Sequence, residues 1–297
     1  MDTRARADAL TPFVFERAAI RGSVVHLRDA TRTMLGAHRY PPAIARALAE
    51  LTAAAALLAA TLKLDGSLTV QLRGDGPLRL LVVECDGTLG LRGAAQWSDE
   101  AVSPLGANAS LRALAGEPSQ ARLAITLDPR DGAALYQGIV ALEGDSIAAS
   151  IEHYLATSEQ LPSRLVLVTA SGAAAGILLQ RLPASTDEDT ALWDRAAHAV
   201  TGAEDALLAV REPTTLLQAL FPRDDLRVFP ERLARFQCKC SRARAENALR
   251  IAGAAEVEAA LAESGRVDVT CEYCGRQYVF DAPAARALFA APSRETP

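Results

Sequence analysis

The chain has 297 residues, half of them hydrophobic and 23% charged, which is enough to bury a core and form more than one domain without disulfide staples. A net charge of −5 and a pI near 5.5 disfavour nucleic acid or an anionic membrane surface as partner. Lysine chemistry is confined to Lys63 and Lys239, because every other member of the Lys/Arg set is an arginine, whose charge cannot be tuned away.

The N-terminal "MDTRARADAL" lacks the apolar run and small-residue cleavage site of a signal peptide, so a cytoplasmic protein is expected. Pro41 and Pro42 suit the first turn of a helix, and "AIARALAELTAAAALLAATL" (43–62) continues it. That stretch is mostly alanine and carries Arg46 and Glu50, which predicts a buried helix rather than a membrane span. In "GSLTVQLRGDGPLRLLVVECDGTLGLRG", Leu68, Val70 and Leu72 alternate with Thr69, Gln71 and Arg73. An antiparallel meander follows, with Asp75-Gly76 and Asp86-Gly87 expected at positive φ in its turns. "ARLAITLDP" and "LYQGIVALEG" predict a further hairpin around Asp131-Gly132. Ser146 is placed to cap a helix running to about Ser158, and "RLVLVTA" and "GILLQRLP" read as strands flanking a small-residue turn from Ser171 to Gly176. Strands and helices are segregated rather than alternating, so the class is α+β, with a mixed or antiparallel sheet domain over residues 1–183.

Residues 184–232 form a helical linker in this reading. Gly202, Pro213, Pro222 and Pro230 break its periodicity into short helices that depend on neighbours for stability, so it is expected to be the weakest part of the chain. The acidic start at Asp187, Glu188 and Asp189 reads as a solvated helix end that suits the dipole.

A small C-terminal domain, 233–297, holds four of the five cysteines: Cys238 and Cys240 as C-x-C, then Cys271 and Cys274 as C-x-x-C with Gly275 after it. Four thiolates suit one tetrahedral zinc ion, and the segment between them reads as two helices, the first capped by Ser241, with Gly253 and Gly265 as breaks and a small hairpin around the second pair. With few large apolar residues here, metal is expected to supply much of the folding energy, of order 10 kcal/mol in small zinc modules. A permanent structural site accounts for the spacing. A switch accounts for it too, because residues two apart can lie within the Cα reach of a disulfide, and Arg235, Lys239, Arg242, Arg244 and Arg276 would help keep reactive thiolates ionised.

These residues resemble the redox-regulated heat shock protein 33 chaperones, the 33 kDa chaperonin family, nearly end to end. "CSRARAENAL", "CEYCGRQYVF", "RAAIRGSVVHL", "LKLDGSLTVQLRGDGPLRLLV", "SIEHYLATSEQLPSRLVL" and "GILLQRLP" carry the resemblance. It implies a cytosolic, ATP-independent holdase that is inactive while reduced and zinc-bound. Oxidants with unfolding stress would release Zn2+ and form Cys238–Cys240 and Cys271–Cys274 disulfides. The linker would then unfold, and the chain would form a homodimer that captures unfolding client proteins. The short, proline-interrupted helices lead to a matching expectation of their own: loss of zinc removes their support and exposes residues such as Leu192, Trp193, Leu216, Leu217, Leu220 and Phe221.

No catalytic or cofactor-binding residue is assigned, and the protein is not expected to be an enzyme. Cys85, at the end of an apolar strand, reads as a buried hydrophobe. Glu152-His153-Tyr154 point to different helix faces and lack a partnered nucleophile, while His26, His38 and His198 are isolated in sequence. "RGDGP" lacks the helix and lysine of a phosphate loop and reads as a turn. Two further function classes are weighed. A constitutive zinc-ribbon adaptor binding RNA or protein draws on Arg242, Arg244, Arg250 and Arg276, against the acidic total and the scarcity of aromatics. A thiol oxidoreductase needs its C-x-x-C at a helix start, which a knuckle between strands does not provide.

Overall fold

The alternation read in the sequence builds two six-stranded sheets in the first of two units, Met1–Gln237 and Cys238–Pro297, into which the chain divides. The structure, a computed structural model, describes residues 8–62, 65–130, 132, 134–183 and 186–289; Lys63, Asp131 and the expected linker start at 184 lie outside them.

The first unit begins with β1 (Ala9–Phe15), β2 (Ile20–Leu27), α1 (Asp29–Leu35), α2 (Pro42–Thr61), β3 (Gly66–Arg73), β4 (Leu78–Asp86) and β5 (Gly90–Trp97). It continues through α3 (Asp99–Val102), α4 (Leu111–Ala115), β6 (Arg122–Pro129), β7 (Tyr136–Ala141), α5 (Ile147–Thr157), β8 (Ser163–Ala170) and β9 (Ala173–Arg181). Then follow α6 (Asp187–Val200), α7 (Glu204–Ala209), α8 (Pro213–Leu220), β10 (Leu226–Val228), β11 (Arg232–Leu233) and β12 (Arg235–Phe236).

One sheet has the order β10-β1-β2-β9-β8 with β11 also beside β1; the other runs β12-β5-β4-β3-β6-β7. Helix α2 packs on β2, β8 and β9 of the first sheet and on β4 and β5 of the second. That position explains its composition: a helix covered on nearly all sides is apolar all round, and alanine lets two sheets approach its backbone closely. It is long and apolar enough to cross a membrane, yet 78% of its most apolar window is buried inside the unit. Its one buffered charge pair is Arg46–Glu50, 2.7 Å apart, with Arg46 also donating to the carbonyls of Ala107 and Ala109.

The outer face of the first sheet carries a second core. Phe13 and Phe15 on β1 and Ile177 on β9 meet Leu207, Leu216 and Phe221 from the α6–α8 segment, with the Phe15 and Phe221 rings edge to face at 5.2 Å. His26, on the same face, hydrogen-bonds the Leu207 carbonyl through Nε2 at 3.1 Å, tying α7 to β2 by a buried polar contact.

Four details differ from the sequence reading. Among the meander turns, positive φ falls on Leu89 (60°), and neither Asp-Gly pair takes it. Gly76 is needed instead for proximity: a Cβ there would sit 2.5 Å from Gly116 N and 2.6 Å from Leu114 O, because the end of α4 lies against this turn. The β8–β9 turn is only Ser171-Gly172, with φ of 50° and 77° suited to a two-residue hairpin, so Ala173 to Gly176 belong to β9. Asp189 is not solvated: it closes a capping box with Thr186 and accepts from Ala19 N at 3.3 Å. Beyond Pro222 the chain is extended, and β10, β11 and β12 add themselves to the edges of the two sheets.

The second unit comprises α9 (Arg242–Ala252), α10 (Ala254–Ser264), β13 (Arg266–Thr270), β14 (Gln277–Asp281) and α11 (Ala282–Ala287). Ser241 Oγ caps α9 by accepting from Arg244 N at 3.3 Å, Gly253 (φ 97°) separates the two helices, and Gly265 (φ 73°) ends the second in the left-handed conformation. Its core is Ala245, Leu249, Val257, Leu261, Val267, Phe280 and Ala285, with a single aromatic ring, which is thin for a unit of this length.

Candidate metal centre

Two local structures deliver the sulfurs. Cys238 and Cys240 immediately precede the Ser241 cap, so the start of α9 fixes the end of the C-x-C segment. Cys271 and Cys274 lie in the turn between β13 and β14, closed by Gly275 N–H donating to the Cys271 carbonyl (2.8 Å) and Cys271 N–H to that of Arg276 (2.9 Å). Gly275 has φ of 68°, a left-handed conformation that a side chain would strain. The register of the hairpin, Thr270 opposite Gln277, sets both cysteines on the loop between its strands.

The four Sγ atoms lie within 4.8 Å of one another, each half-buried. Cys238 and Cys271 are separated by 3.6 Å and Cys240 and Cys274 by 3.5 Å, so each of these contacts joins one motif to the other. Four sulfurs so close can hold a metal ion. Without a cation they cannot all be ionised together, and the protein environment already differentiates them. Burial and bonds to neighbouring sulfurs push the Cys238 thiol up to about 12. Burial pushes Cys240 up as well, but hydrogen bonds from Tyr278 and the other three cysteines outweigh it and bring it down to about 7. Burial raises Cys274.

Tyr278 was not singled out as a sulfur partner in the sequence, yet its hydroxyl donates to Cys240 Sγ at 3.1 Å. Its alternation with Phe280 on β14 is the signal: both belong to the side of the strand that packs on the small core. Of the basic residues expected to favour thiolate, Arg276 is coupled to Tyr278, Cys240 and Cys274. Arg242 is engaged otherwise, stacking 4.3 Å from the centre of the Phe280 ring and donating to the Val279 carbonyl, and Arg235 is held by Thr88 Oγ1 and Gln237 Oε1.

The remaining candidates are not brought to this cluster. Cys85 is completely buried in the first unit. Glu152 accepts from Leu165 N (2.6 Å) and Arg164 (3.1 Å), His153 faces Glu143 at 3.4 Å, and Tyr154 donates to Glu159 at 2.8 Å, so the three serve separate structural contacts. His38 lies edge-on to Tyr40, and His198 lies in the last turn of α6.

The family model described as Hsp33 protein matches residues 8–281. The chain belongs to the Hsp33 family. A 33 kDa chaperonin of Methylobacillus flagellatus is 41% identical over 95% of this chain and 94% of its own, and one of Chromobacterium violaceum is 40% identical over 95% and 94%. The fold is that of the crystal structure of the Thermotoga maritima 33 kDa chaperonin (Hsp33 homolog), with a TM-score of 0.76 at 21% identity over 94% of this chain and 97% of that one. Hsp33 proteins are chaperones and not enzymes, and the cysteine cluster fits a redox-regulated zinc switch.

Proposed function

We propose that this Hsp33 chaperone is an ATP-independent holdase switched by the oxidation state of Cys238, Cys240, Cys271 and Cys274. The observation that carries the proposal is the convergence of C-x-C and C-x-x-C sulfurs within 4.8 Å. The edges of a tetrahedron with Zn–S bonds of about 2.3 Å are about 3.8 Å, close to the separations of 3.5 and 3.6 Å between the motifs. In the reduced chain these four cysteines would hold one Zn2+, which supplies the positive charge that keeps every sulfur ionised and a cross-link between the start of α9 and the β13–β14 turn.

On oxidation, each local pair, Cys238 with Cys240 and Cys271 with Cys274, gives up two electrons and forms one S–S bond, while one peroxide per pair takes up two protons and is reduced to water. Disulfide sulfurs no longer carry the charge that ligation needs, so zinc affinity is lost with the same step. The thin core of Cys238–Pro297 then loses its main support. The proposal divides the chain into a core domain at 1–183, a linker at 184–232 and the switch domain at 233–297. Release of the linker exposes the apolar faces of α6–α8 to unfolding clients and favours a homodimer. The setting is the cytoplasm, where thiols are held reduced until stress, and neither nucleic acid nor membrane is a partner.

The test is to follow aggregation of a heat-unfolding protein with the reduced and the peroxide-treated chain while released zinc is titrated. Protection that appears with zinc release is expected. Equal protection in both states would overturn the switch and favour a constitutive zinc-ribbon adaptor, which RNA filter binding by the reduced chain would then identify.

A further inference from the structure

Among the described residues, Tyr278 is the one side chain outside the four cysteines that hydrogen-bonds a cluster sulfur: its hydroxyl donates to Cys240 Sγ at 3.1 Å. Beyond the contacts among the sulfurs, Cys238 and Cys274 take only backbone N–H groups, from Cys240 and Arg276. Packing does not ask for the hydroxyl. The ring is fixed by its strand, where Tyr278 pairs with Val269 across the hairpin and packs with Phe280 on the core of the second unit, a task phenylalanine would fill as well. Tyr278 is half-buried, so water is at hand for its oxygen, yet the strand aims the O–H at one of four sulfurs. The positive charge of Arg276 bears on the same oxygen, and a cation beside a hydroxyl oxygen makes its O–H a stronger donor.

That bond falls on the sulfur chemistry of the switch. A thiolate attacks hydrogen peroxide with a lone pair: the S–O bond forms, the O–O bond breaks, and the departing hydroxide takes a proton to become water. The partner thiolate then displaces the sulfenic oxygen, which leaves as a second water when it takes a second proton, and the S–S bond forms. Negative charge leaves the sulfur in the first step. A hydrogen bond held by that charge is therefore stronger before the attack than during it, and it raises the barrier. We propose that Tyr278 is a positioning residue for the switch, whose hydrogen bond restrains attack by Cys240 on peroxide and so sets how readily the Cys238–Cys240 pair closes. A thiolate has three lone pairs, so one can bind metal while another accepts from Tyr278. This inference rests on the redox reading of the four cysteines.

The test compares the reduced, zinc-loaded full chain with its Tyr278→Phe variant, which keeps the ring and loses the donor. Initial rates under hydrogen peroxide, before zinc is lost, are read at each cysteine by differential alkylation and mass spectrometry. Oxidation at Cys240 is expected to rise about three- to tenfold, as for a hydrogen bond to a charged acceptor of which about half is lost at the transition state, while Cys271 and Cys274 keep their wild-type rates. Cobalt(II) in place of zinc gives a readout independent of oxidation. The sulfur-to-cobalt charge-transfer bands are expected to move to lower energy in the variant, because a sulfur without its hydrogen bond gives up charge more readily, and the ligand-field bands of the four-sulfur site are expected to stay. An unchanged rate at Cys240, unshifted charge-transfer bands, or an equal rise at all four cysteines would each overturn the proposal, the last by marking Tyr278 as packing alone. A wild-type chain whose cysteines and zinc withstand peroxide would overturn the redox reading and this inference with it, whereas a wild type that reacts and a variant that matches it overturn this inference alone.

Discussion

Leu216→Ala tests whether α6–α8 can be released from the first unit without unfolding it. Leu216 has no exposed surface and sits in the core formed by α6–α8 and the outer face of the first sheet, among Phe13, Phe15 and Phe221. Removing a fully buried leucine costs about 2–5 kcal/mol, and a site bounded by a rigid sheet collapses only partly, so about 3 kcal/mol is expected. At 1.4 kcal/mol per decade that is about a hundredfold rise in the population of the released state. Hydrogen exchange read at α6–α8 should accelerate by about that factor, with a weaker urea dependence than α2, because opening this layer exposes less surface than unfolding the unit. If the proposed function holds, the variant should also suppress client aggregation at lower peroxide than wild type. Exchange in α6–α8 and α2 that shares one rate and one urea dependence would refute the reasoning, since the layer would then open only with the whole unit.

Chelation of the reduced chain should abolish the far-UV signal of the two eleven-residue helices α9 and α10 while α2 keeps its protection, because the core of seven buried residues stands against a metal contribution of about 10 kcal/mol; unchanged helicity after metal removal would contradict this. Burial, then the charge of Arg211, lowers the pKa of His26 against the bond to Leu207 that raises it. The unfolded chain therefore binds the proton more readily, and the stability of the docked α7 is full above about pH 6.5 and lost as pH falls toward the depressed folded value. Melting temperatures across that window should slope less for His26→Gln than for wild type. Gly76→Ala should lower the melting temperature at a cost of about 1–3 kcal/mol, because its Cβ would press on backbone atoms of Leu114 and Gly116 that cannot rotate away.

What could be read in advance follows the range of the interaction responsible. Ser146 and Ser241 as caps, Gly265 as a left-handed helix end and the C-x-x-C-Gly turn are decided within four or five residues, and each stands where its chemistry placed it. Alternation likewise told which face of β3 is buried, but period-two patterning assigns a face and never a neighbour. For that reason the edge pairings of β10 with β1 and β12 with β5, the reach of Asp189 to Ala19 across 170 residues, and the Tyr278–Cys240 contact all required the assembled chain. The cysteines escape this rule because thiols are scarce: five in the chain, four of them in two tight motifs, leave few combinations that can meet. Strand β7 obeys it fully. "LYQGIVALEG" was recognisable as half of a hairpin, whereas its place at the end of a six-strand order belongs to the topology alone. The position of a strand in its sheet is therefore where the residue pattern is least informative, because an edge strand and an interior strand can carry the same alternation.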